Sequence, residues 1–145
     1  MATPLKDIEN ILDLLKSQSE IFNDATIPER YCSLGLIQTG LQLNKDYEII
    51  SVEENGTTVK YVENINSREC YLTALYAYRT YALQKHDEFA SKAVGVKTIS
   101  FAVTGLIDRA RQTMKVVEWC DIEISKTLQQ LVSPSGFSSE MTGGY

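Results

Sequence analysis

Apolar residues recur at three- and four-residue steps along most of the chain, and at two-residue steps over one short stretch. Leu5, Ile8, Ile11, Leu12, Leu15 and Phe22 keep the helical period and predict a helix over 3–22. Thr3 stands where an N-cap belongs, Pro4 at the first helical position, and Asp7 and Glu9 near the positive end of the dipole. A second helix is predicted over 28–43, with Pro28 in its first turn and Tyr31, Leu34, Ile37 and Leu41 on one face. Gly35 and Gly40 each cost such a helix about 1 kcal/mol against alanine, unless they mark a close approach by another helix.

The period changes over 47–63. Two alternating segments flank Asn55-Gly56, the dipeptide that favours a two-residue hairpin turn. That turn pairs Val52 with Val59, Ser51 with Lys60, Ile50 with Tyr61 and Ile49 with Val62. Both faces are half apolar, which predicts a ribbon projecting from a body. Helical spacing returns over 67–91, capped by Asn66 or Ser67. Tyr71, Leu75, Tyr78, Ala82 and Phe89 lie on one face, while Leu72, Tyr76, Tyr81 and Leu83 lie on others. Tyr71, Tyr76, Tyr78 and Tyr81 therefore surround the axis. A tyrosine joins apolar area to a polar tip, so these four suit either the chain's own core or a contact with a neighbouring subunit. Residues 93–104 are apolar and β-branched and predict an extended strand or loop. A long final helix follows over about 105–131, with Leu106, Ala110, Thr113, Val117, Cys120, Ile124, Leu128 and Leu131 in line.

The resulting fold class is mainly α: a small helical bundle over 1–132 with a projecting hairpin or extended loop at 47–63. Residues 133–145 break composition. Pro134 stops the helix, and Ser and Gly make up seven of the thirteen positions, which predicts a flexible C-terminal tail. Phe137, Met141 and Tyr145 recur there at every fourth position. They are either incidental or anchors of a segment that orders on a partner, each filling a pocket.

Charge narrows the function. The net charge is −5, and residues 1–66 carry five basic against eleven acidic side chains. Sequence-independent nucleic-acid binding needs a cationic surface, so tight DNA binding is not expected. The longest stretch without Asp, Glu, Lys, Arg or His, Tyr31 to Asn44, is shorter than the roughly 20 apolar residues of a membrane span. The N-terminus lacks the features of a secretory signal, so a soluble, cytosolic protein is expected. Cys32, Cys70 and Cys120 are odd in number and far apart, and read as buried reduced thiols. With His86 as the single histidine, and no closely spaced ligand pairs or phosphate-cradling glycine loop, the expectation is no enzyme, no metal and no cofactor.

The order of parts is amphipathic helix, helix, ribbon, Tyr-rich helix, extended segment, long helix and loose tail. With the run SFAVTGLIDRARQTMKVVEWCDIEISKTLQQL at 100–131, it resembles the head–tail connector (adaptor) proteins of long-tailed double-stranded-DNA bacteriophages. The likeness covers roughly residues 4–132 and is one of size, element order and texture. It implies a structural virion protein that forms a ring, commonly of twelve copies, beneath the portal at the capsid–tail junction. Such a ring extends the DNA channel and meets the next neck or tail protein. By position, Phe137, Met141 and Tyr145 would grip the portal. DNA would pass through the channel without specific binding, along an acidic wall that repels it. The alternatives are another phage neck or tail-completion protein and a cellular helical protein-interaction module.

Overall fold

The computed structural model describes residues 2–95 and 101–132. In chain order these form β1 (Ala2–Pro4), α1 (Leu5–Ser17), α2 (Arg30–Leu43), β2 (Ile49–Glu54), β3 (Thr57–Glu63), α3 (Ser67–Gly95) and α4 (Phe101–Val132). The protein is mainly helical, with one small antiparallel sheet in the order β1-β3-β2.

The N-terminus departs from expectation. Ala2, Thr3 and Pro4 are extended and pair with Glu63, Val62 and Tyr61, so Thr3 does not cap a helix. They cover an edge of β3 that a lone hairpin would leave open, and proline is tolerated on such an edge strand. Helix α1 also ends earlier than the apolar spacing suggests. The Ser17 hydroxyl donates to the Leu14 carbonyl at 2.7 Å, a local bond that competes with helix continuation. Phe22 still reaches the core, carried there by the turns after Gln18.

The hairpin forms in the expected register, with Ile49, Ile50, Ser51 and Val52 opposite Val62, Tyr61, Lys60 and Val59. Asn55 and Gly56 both take positive φ, 52° and 78°, as the turn requires. Val62 at its base is buried, while Glu53 to Thr58 at its tip are exposed.

Helix α3 is the axis of the molecule. Asn66 caps it: its Oδ1 accepts the Glu69 N–H at 2.9 Å, and Glu69 Oε1 accepts the Asn66 N–H at 3.0 Å, a reciprocal capping box. The other three helices all pack on α3. That explains why apolar residues surround it instead of forming one stripe. Gly35 of α2 lies so close to α3 that an added Cβ would stand 2.5 Å from the Thr73 carbonyl oxygen. Thr39 and Thr73 share a hydroxyl–hydroxyl bond of 3.0 Å in the same seam. Helix α4 meets α3 through Tyr71 to Glu123 and Arg79 to Asp121. Tyr71 and Thr73 are two positions apart, or about 200° around a helix, so α2 and α4 occupy opposite sides of α3.

Gly40 serves a different close approach from the one expected. Its absent Cβ makes room for the Lys45 carbonyl in the turn that ends α2, where Asn44 takes φ 54°. The expected extended segment at 93–104 is corrected to helix at 93–95 and again at 101–104; residues 96–100 lie outside the described residues. β-Branching costs a few tenths of a kcal/mol per residue, and long flanking helices outweigh that. In α4, Thr113, Val117, Cys120 and Ile124 are buried as the spacing requires, and Leu106, Ala110, Leu128 and Leu131 are half-buried.

A further core contact carries charge. Lys45 Nζ donates to both oxygens of the buried Glu69, at 2.8 and 3.0 Å, and to the Asn64 carbonyl at 3.1 Å. Lys45→Ala strands a buried carboxylate. Breaking a fully buried pair costs 3–5 kcal/mol, and Lys45 keeps part of its surface in water, so a loss of about 2 kcal/mol in urea-unfolding free energy is expected.

Candidate assembly surfaces

All three thiols lie inside the fold. Burial pushes Cys32 and Cys120 from the ordinary 9.0 up to about 12 and Cys70 up to about 11, with nearby acids adding to the effect. Nucleophilic thiolate is therefore scarce at neutral pH. The same shifts make the fold alkali-sensitive. Their stabilisation is fully present below pH 9, where folded and unfolded thiols are both protonated. It is lost as pH rises, because the unfolded chain ionises first, at about 1.4 kcal/mol per thiol per pH unit. Urea midpoints measured at pH 8, 9 and 10 should fall steeply over the last step.

His86 Nδ1 lies 3.3 Å from Asp87 Oδ1 at the surface. Glu53 and Glu54 are exposed at the hairpin tip. Among the described residues no cluster of three His, Cys, Asp or Glu side chains is placed to hold a metal ion. No described helix is long and apolar enough to cross a membrane.

The four tyrosines divide. Tyr78 and Tyr81, 2% and 7% exposed, belong to the chain's own core. Both meet Phe22 edge to face, with ring centroids 6.0 and 5.3 Å apart, and Tyr81 also meets Tyr31 at 5.4 Å. Neither has surface to offer a neighbouring subunit, so the interface expectation is corrected for these two. Their position follows from the central placement of α3. Tyr71 and Tyr76 are half-buried, and the Tyr71 hydroxyl donates to Glu123 Oε1 at 3.2 Å. Phe137, Met141 and Tyr145 lie outside the described residues.

An apolar surface emerges where the sequence pattern suggested a core stripe. On α2, Tyr31 is buried, but Leu34, Ile37 and Leu41 are 42%, 60% and 77% exposed. The buried residues of α2 are instead Tyr31, Cys32, Gly35, Leu36, Thr39 and Gly40, and the small Gly35 and Thr39 make the close contact with α3. The outer row continues onto β2 through the exposed Ile49, beside a groove of about 420 Å³ that Ile37, Leu41, Tyr47 and Ile49 help to line. Between Arg30 and Lys45 this helix has no charge. The signal was in the sequence as the longest uncharged stretch, but spacing alone does not say which face meets water.

On the other side of α3, a cleft of about 370 Å³ opens between α4 and the end of α1 with the turn after it. Leu15, Ile21, Val116 and Trp119 supply its apolar walls, and Glu20 and Lys115 also line it. Tyr78 lines it from the core, its hydroxyl buried. That hydroxyl sits near Ser19, but among the described residues it has no hydrogen bond of normal geometry. Burial raises its pKa to about 12. No sequence signal marked this cleft, because it joins residues about one hundred positions apart.

Comparisons with protein families, curated proteins and solved structures find no match to this chain.

Proposed function

We propose that this chain is a structural, non-enzymatic assembly protein: a head–tail adaptor that forms a ring beneath a phage portal, extends the DNA channel and joins capsid to tail. The observation that carries this reading is the uncharged outer face of α2, with Leu34, Ile37 and Leu41 turned to solvent. Isolated exposed leucines are ordinary; an apolar row running on into the hairpin marks a protein contact. Its place opposite the α1–α4 cleft supports a ring, because each subunit of a ring needs two different surfaces, one for each neighbour.

Residues 133–145 are the portal-binding segment in this proposal, with Phe137, Met141 and Tyr145 as its anchors. Each anchor contributes modestly, and a ring presents many copies at once, so avidity offsets the entropic cost of ordering the segment. The acidic excess in residues 1–66 suits a wall past which DNA slides. Affinity capture of the full-length chain from infected cells tests the partner: recovery of portal protein is expected. Recovery of tail proteins without portal, or of host proteins alone, would overturn the assignment.

A further inference from the structure

We propose that Asn55 is a site of spontaneous covalent modification, at which the Gly56 backbone nitrogen attacks the Asn55 side-chain carbonyl carbon and the hairpin tip passes from asparagine to aspartate and isoaspartate. The inference is independent of the adaptor reading above. A bond forms between Asn55 Cγ and the Gly56 nitrogen as the Cγ–Nδ2 bond breaks. Nδ2 leaves as ammonia and carries away the proton of the Gly56 amide. The cyclic succinimide that remains then takes up water. Water entering at the side-chain carbonyl gives aspartate on an ordinary backbone. Water entering at the main-chain carbonyl gives isoaspartate, whose backbone runs through the former side chain. Asparagine and water become acid and ammonia, with nothing oxidised or reduced.

Sequence and fold together select this asparagine. Gly56 alone, among the residues that follow an asparagine, has no side chain to crowd the attacking nitrogen. An added Cβ at Gly56 would find no described atom within 4 Å, and Glu53 to Thr58 are exposed, so water reaches the tip. In a two-residue turn the closing bond is donated by the fourth residue, here Thr57, which leaves the Gly56 amide out of the ladder. The other asparagines are held or crowded. The Lys45 N–H after Asn44 donates to the Gly40 carbonyl at 3.0 Å. Asn66 Oδ1 accepts the Glu69 N–H in the cap of α3. Asn10 lies within α1, where the backbone amides bond along the helix. Asn64 precedes the buried, β-branched Ile65, and Asn23 precedes Asp24.

The turn also acts as a brake. Asn55 is held at φ 52°, and closing the ring needs a rotation about its Cα–C bond that the paired hairpin resists, so the conversion accompanies local opening of the tip. The two products then differ. Aspartate accepts the left-handed conformation much as asparagine does and keeps the register. Isoaspartate adds one atom to the backbone, which no longer fits the two-residue connection setting β2 against β3. Both place a new negative charge beside Glu53 and Glu54.

Peptide mapping of the full-length chain, held in mildly alkaline buffer and sampled over days, tests the proposal. Trypsin releases residues 46–60 as a peptide in which Asn55 is the sole asparagine, and chromatography with mass spectrometry separates its asparagine, aspartate and isoaspartate forms. Both acids should appear at position 55, ahead of acid at any other asparagine, with isoaspartate the larger share. Gly56→Ala should slow the conversion about tenfold, because its methyl crowds the nitrogen; the strain of alanine at φ 78° would by itself only loosen the tip. Aspartate formed without isoaspartate would mean direct hydrolysis of the side-chain amide and would overturn the inference. So would an intact Asn55 while other asparagines convert, or conversion in Gly56→Ala at the parent rate. The purified isoaspartate form should lose hydrogen-exchange protection across β2 and β3, and Asn55→Asp should keep it. Equal protection in the two would overturn the consequence drawn for the turn.

Discussion

A chain ended after Val132 should fold normally and fail to bind portal. Its molar far-ultraviolet circular dichroism and its Tm should match those of the full-length protein, since the core cluster of the described residues spans 5–131. Portal capture, in contrast, should fall below detection. Burying a large apolar side chain is worth about 1.5–3 kcal/mol, so Phe137, Met141 and Tyr145 together supply most of the affinity the proposal requires. The loss is repeated at every subunit of the ring, which turns a weakened contact into an absent one. Replacing only these three residues with serine should reproduce the effect at unchanged tail length. Full portal binding by the truncated chain would place the gripping surface elsewhere.

Gly35→Ala should be the most damaging single methyl in the molecule. The new Cβ would meet the Thr73 carbonyl oxygen at 2.5 Å and the Ala77 nitrogen at 3.2 Å, both backbone atoms of the central helix that cannot rotate aside. Helix α2 must move away from α3, disturbing the Thr39–Thr73 bond. Overpacking of this kind costs about 1–3 kcal/mol, against about 1 kcal/mol gained in helix propensity, so a net loss of about 1 kcal/mol is expected for Gly35→Ala and a larger one for Gly35→Val. Gly105→Ala is the control. No described atom lies within 4 Å of its Cβ position, and a gain of about 0.5–1 kcal/mol is expected. Urea unfolding of the two variants should move in opposite directions.

How far the sequence speaks depends on how local the cause is. Asn55-Gly56 sets its turn by the φ values of two residues, and the whole hairpin register follows. The stripe of α4 is legible because one side of that helix meets a single partner. β1 is illegible: Ala2–Pro4 becomes a strand because β3 has an edge to cover, a fact lying sixty residues away. The outer face of α2 shows the deeper limit. Leu34, Ile37 and Leu41 have the spacing of a buried stripe, yet Gly35 and Thr39 win the contact with α3 because close backbone approach needs small side chains. The tyrosines of α3 fail in the other direction: the pattern showed an apolar helix on all sides, and only its central position shows that Tyr78 and Tyr81 are core. The cleft beside Tyr78 is assembled from α1, α3 and α4, and no single segment announces it.

Single-particle imaging of the portal of the same phage, mixed with the full-length chain, tests the central proposal most directly. A closed ring of this protein on one face of the portal, coaxial with its channel, is the predicted image. Portal particles that stay bare while the chain remains free would contradict it.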